Sequence, residues 1–502
     1  MSDTNRRRAR SARTLAPQRR QRGQSILWFL ATTAACCAML ALVYNVGQVT
    51  NEKEKTINAA DASALSGALV EARMLNFMAY TNRAMIANEV VVAQLLSLDS
   101  WVRYDNQLAQ NLATVTAIVP YLDDATQALA DVTSYAQDAV DEGVSAGIPT
   151  EDGIVDGLEA VREVANGAAV LAAKDVAQKI AQANQTTFGS PARFDVAPQV
   201  VDDNGFDWAM FGINQANWIA FSKLYSKDDN GSDDRGNAAQ VTVDSLDQFS
   251  KYRGPGLVID SINLSLSVPI ALSGIDKTSG NTILATYDRW EAQDSADWWV
   301  GVEILGVVGK KVDLIPLGWG RADADQNGDQ GNDWDFGGGP CTQWFALGCE
   351  AAYQNDNPIS GWNGIPTIRD LSNPGNSGTD PTLSYIVAVK KSAAATLTTQ
   401  RLGSGMNNVS VPGPQGSPDL KDNLLGTRDE LGSVSAARVF FKRPDWNQKD
   451  ISEGNLPRAD QVHEYASLYN PYWQARLTSP DTATVSLVYA ALGQPGLNLV
   501  MP

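Results

Sequence analysis

Histidine is nearly missing from this sequence: one, His463, among 502 residues. A Ser-His-Asp triad would have to use it, yet no Gly-x-Ser-x-Gly elbow is present to supply the nucleophile. Equally absent are His-Glu-x-x-His, the Gly-x-x-x-x-Gly-Lys-[Ser/Thr] phosphate loop and a strand-linked Gly-x-Gly-x-x-Gly. His463 is therefore read as a surface or packing residue. Carboxylates are too many in an acidic chain for any pair to be singled out as acid and base. With four cysteines the chain is no disulfide-dense scaffold, and 44% hydrophobic residues exclude disorder throughout. The length allows two or three domains, each able to bury a core.

Two further absences are local. No charged residue lies between Gly23 and Asn51, and no proline between Pro17 and Pro120. Ser25 to Val46 (SILWFLATTAACCAMLALVYNV) is apolar and, at about 1.5 Å per residue, long enough to cross a hydrocarbon core of roughly 30 Å. Before it stand eight arginines and one acid within 22 residues, a charge of +7; the whole chain carries -18, so the other 480 residues carry -25. The positive-inside rule places residues 1–22 in the cytoplasm and everything beyond about Asn51 outside it. A cleaved signal peptide has a shorter apolar region and a small-x-small exit, and Tyr44 to Gln48 offers no such site. A lipoprotein-type Cys36 would sit in mid-span. An uncleaved anchor is the expectation. The acidic remainder argues against nucleic acid as a partner.

Beyond the span, Ile57, Ala60, Ala64, Ala68, Ala72, Leu75 and Ala79 recur at three- and four-residue spacing, and Ile86, Val90, Ala93 and Leu96 extend the series. That is helix continuing out of the membrane. Its face is rich in small residues that permit close helix approach, with Ala60, Asp61, Ala64, Gly67 and Ala68 as the candidate packing positions. Packing onto a second Ala-rich stretch, Tyr121 to Thr187, or onto partner helices are equally open. That stretch reads as one or two helices interrupted near Gly147, Ile148 and Pro149.

Composition shifts near residue 188: positions 1–187 hold 8 Gly, 3 Pro and 2 Trp, positions 188–502 hold 33, 19 and 11. The expected organisation is a basic tail (1–22), a transmembrane helix (23–50), a helical region (51–187) and a β-rich extracytoplasmic domain with long loops (188–502), an α+β chain overall. Ile262, Leu264, Leu266 and Val268 alternate with polar residues as in a half-buried strand; Gln240 to Phe249, Thr282 to Asp288, Leu383 to Lys390 and Val434 to Phe441 are further strand candidates. Loops are expected at 226–239, 321–340, 354–381 and 403–424.

Two local chemistries stand out in that part. Asp323, Asp325, Asn327 and Gly328 occupy positions 1, 3, 5 and 6 of a calcium-loop template, with Asp329 and Asp333 as further oxygen donors, but Trp334 holds the twelfth position. A structural calcium ion and a solvated acidic turn are the two readings; no other cofactor is expected. The cluster Asp228, Asp229, Asn230, Asp233 and Asp234 is a weaker version. Cys341 and Cys349 lie in the exported part, where an oxidising compartment allows a local disulfide; two free thiols is the alternative. Cys36 and Cys37 fall within the span as small packing residues.

Arg22-Gly23-Gln24, the span and Asn58-Ala59-Ala60-Asp61-Ala62-Ser63-Ala64-Leu65-Ser66-Gly67-Ala68 resemble the N-terminal region of the Tad (Flp) pilus-assembly proteins of the TadE/TadG-like group. Glu71-Ala72-Arg73, Asn76, Ala79-Tyr80-Thr81-Asn82-Arg83-Ala84 and Asn88 are similar to its longer proteobacterial members, as are the late segments Ala437 to Pro444 and Tyr469 to Leu477. The firm likeness covers about residues 20–90. Prepilin processing in type IV-like pilins uses a Gly followed five residues later by Glu; Trp28 stands there, so cleavage at Gly23 is not implied. Some TadG-like proteins carry an Asp-x-Ser-x-Ser metal site, which the segment Val258 to Asn263 lacks. The resemblance implies a non-enzymatic, pilin-like structural or assembly component of a Tad machine. It would sit in the bacterial inner membrane with a periplasmic or surface domain, contribute to adhesion, and meet pilin-like or Tad assembly partners or further copies through the N-terminal helix. The alternatives are a tethered surface adhesin and a carbohydrate-active hydrolase whose Trp298, Trp299, Trp319, Trp334, Trp344 and Trp362 line a sugar cleft.

Overall fold

A single helix organises the computed structural model. It describes residues 24–117, 123–186, 206–224, 235–254, 267–268, 271–304, 307–331, 347–371, 380–392, 430–443 and 465–480. Helix α1, Gln24–Thr116, runs 93 residues without a break, about 140 Å at 1.5 Å per residue. No proline interrupts it, and its alanines carry the highest helix propensity. Helix α2, Asp123–Thr186, returns alongside, so the two form a long hairpin. Helices α3 (Phe206–Ser222), α4 (Gly236–Ser245), α5 (Gln248–Lys251) and α6 (Leu347–Gln354) are short.

Two sheets lean on the hairpin. The first orders β1 (Ser267–Val268), β2 (Ala271–Thr286), β3 (Arg289–Ile304), β4 (Val307–Asp325) and β5 (Asp356–Ser360) in sequence; all pairs are antiparallel except β4 with β5. The second is the antiparallel trio β6 (Leu383–Ser392), β7 (Glu430–Phe441) and β8 (Trp473–Thr478). The fold is helix-rich at its start and strand-containing after it, an α+β chain.

The hydrophobic cores follow α1 upward. Ala60, Ala64, Ala68, Ala72 and Leu75 pack with Ala169, Ala173 and Ala177 of α2, Trp218 of α3, and Tyr385, Val387, Val439 and Trp473 of the second sheet. Higher up, Met85, Val92 and Leu96 meet Val144, Ile148 and Val155 of α2 and Trp290, Ala292 and Ala322 of the first sheet. Tyr104, Leu108 and Ala113 continue against Ala296. Each of the two larger cores therefore combines residues from both sides of position 188, where composition changes.

Several local expectations are corrected. Residues 240–249 form no strand: Ala238, Ala239 and Thr242 are buried at helical spacing in α4, and Asp247 caps α5 by accepting the Ser250 amide at 2.7 Å. The interruption near Gly147–Pro149 is absent. There α2 passes through Pro149 with Val144, Ile148 and Val155 facing α1, tertiary packing outweighing the lost helical bond. The ring of Pro149 rests against Gly361, at φ +93°, where a Cβ would stand 3.0 Å from Pro149 Cγ. The strands expected at 282–288, 383–390 and 434–441 belong to β2, β6 and β7. The loop expected from 321 begins within β4, the one from 354 contains β5, and the one ending at 239 overlaps α4. Val268 lies in β1; Ile262, Leu264, Leu266, the loop at 403–424, the acidic cluster at 228–234 and His463 lie outside the described residues.

Candidate functional site

The first turns of α1 present apolar surface to solvent. Trp28 and Phe29 are each 73% exposed, and Ile26, Leu27, Leu30, Met39, Leu40 and Val43 are exposed as well. Burial begins only at Thr56. Among the described residues one helix is long and apolar enough to cross a membrane, and this is its apolar section. Bare apolar surface on this scale needs an apolar surround or a partner.

The stripe that follows is used within the chain. Ala60, Ala64 and Ala68 are fully buried, and Gly67 sits so close to Tyr385 that a Cβ would fall 2.1 Å from its ring. Asp61 accepts the Ser435 hydroxyl at 2.5 Å, tying the helix to β7. Small residues here seat a sheet as well as the α2 helix. Partner packing through these five positions is thereby displaced: the helix's exposed surface lies before Thr56 and on its outer side.

Asparagines extend the docking. Asn76 pairs its amide with the backbone of β8, donating to the Trp473 carbonyl and accepting its amide, both at 2.9 Å. Asn82 donates to the carbonyls of Arg369 (3.1 Å) and Leu468 (2.9 Å) and accepts from Arg162 at 3.4 Å. On the other edge of the same sheet, Asn214 of α3 pairs with both backbone groups of Ile386, and Asn217 donates to the Ser384 carbonyl. Helix side chains thus engage backbone groups of both outer strands of the three-stranded sheet. Early and late segments of the chain thereby meet face to face. Their spacing in sequence hides this, because the paired residues lie 397 positions apart.

Charge is also drawn inside. Arg253, wholly buried, donates to Asp294 Oδ2 (2.6 Å), which also accepts from Ser100 of α1 at 2.6 Å; Lys277 reaches Asp294 Oδ1 at 2.8 Å. Arg321 faces three carboxylates, Asp323 at 2.9 Å, Glu291 at 3.2 Å and Asp356 at 3.6 Å. Burial, with Asp323 adding to it, pushes the Asp356 carboxyl up to about 8. Along the inward face of α1, burial raises Glu71 well above its usual range, Glu89 to about 8 and Asp99 to about 7. Glu89 accepts the Trp362 indole N–H at 3.1 Å.

Such groups hold their proton more tightly folded than unfolded. The stability they contribute is full below the ordinary carboxylate range, near 4, and is lost as pH rises through about 7 to 8. The thermal midpoint is expected to be lower at about pH 8.5 than at about pH 5.5, and Glu89→Gln, which keeps an acceptor for Trp362, should narrow the difference. A midpoint indifferent to pH over that interval would contradict this reading.

The calcium template meets other partners. Asp325 Oδ1 accepts the amides of Asn327 (2.9 Å), Gly328 (2.5 Å) and Asp329 (3.0 Å), and its Oδ2 takes the Arg289 guanidinium at 2.6 Å. Against the cost of burial, those donors hold its carboxyl below the usual range. Asp323 Oδ2 accepts from Arg321 and from the Gly331 amide. The two aspartates lie on β4, and among the described residues no group of three or more His, Cys, Asp or Glu is placed to hold a metal. Arginine supplies the positive charge at both aspartates, so calcium does not fit them as arranged. Asp333 and Cys341 lie outside the described residues; Cys349 is disulfide-bonded, and Cys36 and Cys37 are free.

The hydrolase alternative finds no cleft in the described tryptophans. Trp362 is fully buried against Trp290, centroids 6.3 Å apart, Trp298, Trp299 and Trp319 are half-buried, and Trp334 and Trp344 lie outside the described residues. The missed site is the polar inner face of β3, where Glu291, Gln293, Ser295 and Asp297 alternate with Trp290, Ala292, Asp294 and Ala296. Both sets are buried, so the alternation does not mark inside from outside.

An exposed apolar helix start running without a joint into a sheet-covered spine defines a chain with an N-terminal anchor candidate and a packed body. Residues 23–70, the apolar section and the first buried turns, match the Tad family, described as "Putative Flp pilus-assembly TadE/G-like". The N-terminal region is therefore similar to pilus-assembly proteins of the Tad type. No curated protein and no solved structure matches the chain.

Proposed function

We propose that the protein is a pilin-like structural or assembly component of a Tad (Flp) pilus machine, held in the bacterial inner membrane by the start of α1. Its arginine-rich tail lies in the cytoplasm, and its body stands in the periplasm or at the cell surface, where it contributes to adhesion. The carrying observation is the continuity of α1: exposed and apolar from Ser25 to Val46, buried from Thr56 onward, with the family match spanning the junction. The +7 tail supports the orientation, and the disulfide at Cys349 suits an oxidising compartment outside the cytoplasm.

Deleting the gene in its host and counting pili by electron microscopy tests the role. Pili should vanish, return with the full chain, and stay absent with a chain lacking residues 25–46. Undiminished piliation in the deletion strain would refute the assembly role. Protease added to spheroplasts reads orientation separately: the body should be digested, and its survival would overturn the topology.

A further inference from the structure

α1 and α2 each carry an outward face that no described residue covers. On α1 it is Arg73, Phe77, Tyr80 and Arg83, one turn apart in succession; Phe77 is 40% and Tyr80 61% exposed, and neither arginine has an ion-pair or hydrogen-bond partner among the described residues. The same stretch turns Glu71, Asn76 and Asn82 inward. Unpaired arginines beside exposed aromatics are conspicuous on a body of charge -25.

On α2 the face is Ile154, Gly157, Val161, Val164, Gly167 and Leu171, at alternating three- and four-residue spacing. Val164 is 72% and Leu171 57% exposed. A Cβ on Gly157 or Gly167 would meet nothing within 4 Å, so no contact among the described residues explains either glycine. Each costs a helix interior about 1 kcal/mol against alanine. Exposed acids bracket the face, Asp156 at one end and Asp175 at the other; Asp175 meets only a solvent-exposed Lys179 one turn on.

The two faces stand level. Asn82 lies beside Arg162, Asn106 beside Gln137 and Thr116 beside Thr126, which puts Phe77 and Tyr80 at the height of residues 164–167. Arg83 is then within side-chain reach of the level of Asp156, and Arg73 of that of Asp175. Two copies held upright in one membrane and set side by side would present α1 of one to α2 of the next, in register and opposite in charge.

We propose that the α1 face docks on the α2 face of a second copy of this chain, Phe77 and Tyr80 packing over Val164 and Gly167 and Arg73 and Arg83 pairing with Asp175 and Asp156. The faces differ, so the contact is heterologous and propagates into a row, ring or filament instead of closing as a two-fold dimer. The common height rests on the anchoring proposed above.

The test uses the full chain in membranes, with Cys36 and Cys37 replaced by alanine, and a bifunctional maleimide. Tyr80→Cys together with Val164→Cys should give a ladder of dimers, trimers and higher species, while either substitution alone gives monomer. Arg73→Glu with Arg83→Glu should cut the ladder about tenfold, and adding Asp156→Lys with Asp175→Lys should restore it. Dimers from either single variant, or monomer alone from the pair, would overturn the proposal. Sedimentation of the same membranes reads the anchor independently: a pelleted chain without a ladder defeats the contact alone, and a soluble chain defeats the anchoring.

Discussion

Replacing Gly320 by alanine should destabilise the protein more than a methyl added at any other described glycine. Gly318 and Gly320 are where β4 passes beneath α1, and a Cβ on Gly320 would lie 2.2 Å from the Ser100 carbonyl oxygen and 2.6 Å from the Tyr104 amide. Those atoms belong to the helix backbone and cannot swing aside as a side chain would. Overpacking by a methyl commonly costs about 1 to 3 kcal/mol, and a backbone clash belongs at or above the top of that range. The methyl pushes helix and sheet apart, opening the seam that holds Tyr104 and Leu108 against Ala296. Chemical denaturation of the purified chain reads the loss. Gly143→Ala is the paired control: nothing lies within 4 Å of its Cβ, and the change should stabilise α2 by about 0.5 to 1 kcal/mol. Equal effects from the two substitutions would mean that the seam is looser than the distances state.

Arg321→Met is the second large effect, expected at about 3 to 5 kcal/mol near neutral pH. Arg321 is 1% exposed, and its removal leaves Glu291, Asp323 and Asp356 buried without their cation. Methionine fills the volume and returns none of the charge. The deficit should shrink in mild acid, where protons replace the guanidinium: the Asp356 carboxyl, already pushed up to about 8 by burial, loses the opposing pull of Arg321, so stability falls as pH rises from its unfolded to its folded range. Unfolding followed at about pH 5 and pH 8 separates this from a packing defect, which would cost the same at both.

Period and charge made the helices and the anchor legible. The 3.6-residue series from Ile57 to Leu96 is α1, and the uncharged stretch before it is the exposed apolar start. The strands were legible where apolar residues mark a face, as in Leu383 to Lys390. They were not legible in β3 and most of β4, whose polar face is buried by ion pairing, so hydrophobicity carries no trace of it. The misread at Gln240 to Phe249 has a similar origin: Val241 and Val243 suggest a period of two, while small Ala238, Ala239 and Thr242 supply the buried helical face. Within the helix-packing site, Ala60, Ala64, Gly67 and Ala68 were recognisable as a contact surface, but a linear pattern of small residues does not say which element fills it. Tyr385 does, from more than 300 positions away.

The clasp between Asn76 and Trp473 also sets a timetable. Synthesis at roughly 5 to 20 residues per second takes about 20 to 80 s to cover the 397 positions between them. For that interval the seat of the three-stranded sheet on α1 waits for β7 and β8, and loop closure over so long a separation is slow in itself. The earliest helix to emerge is thus among the last to be covered, and a nascent chain of this kind needs either a holding partner or nearness to its final neighbours while it matures.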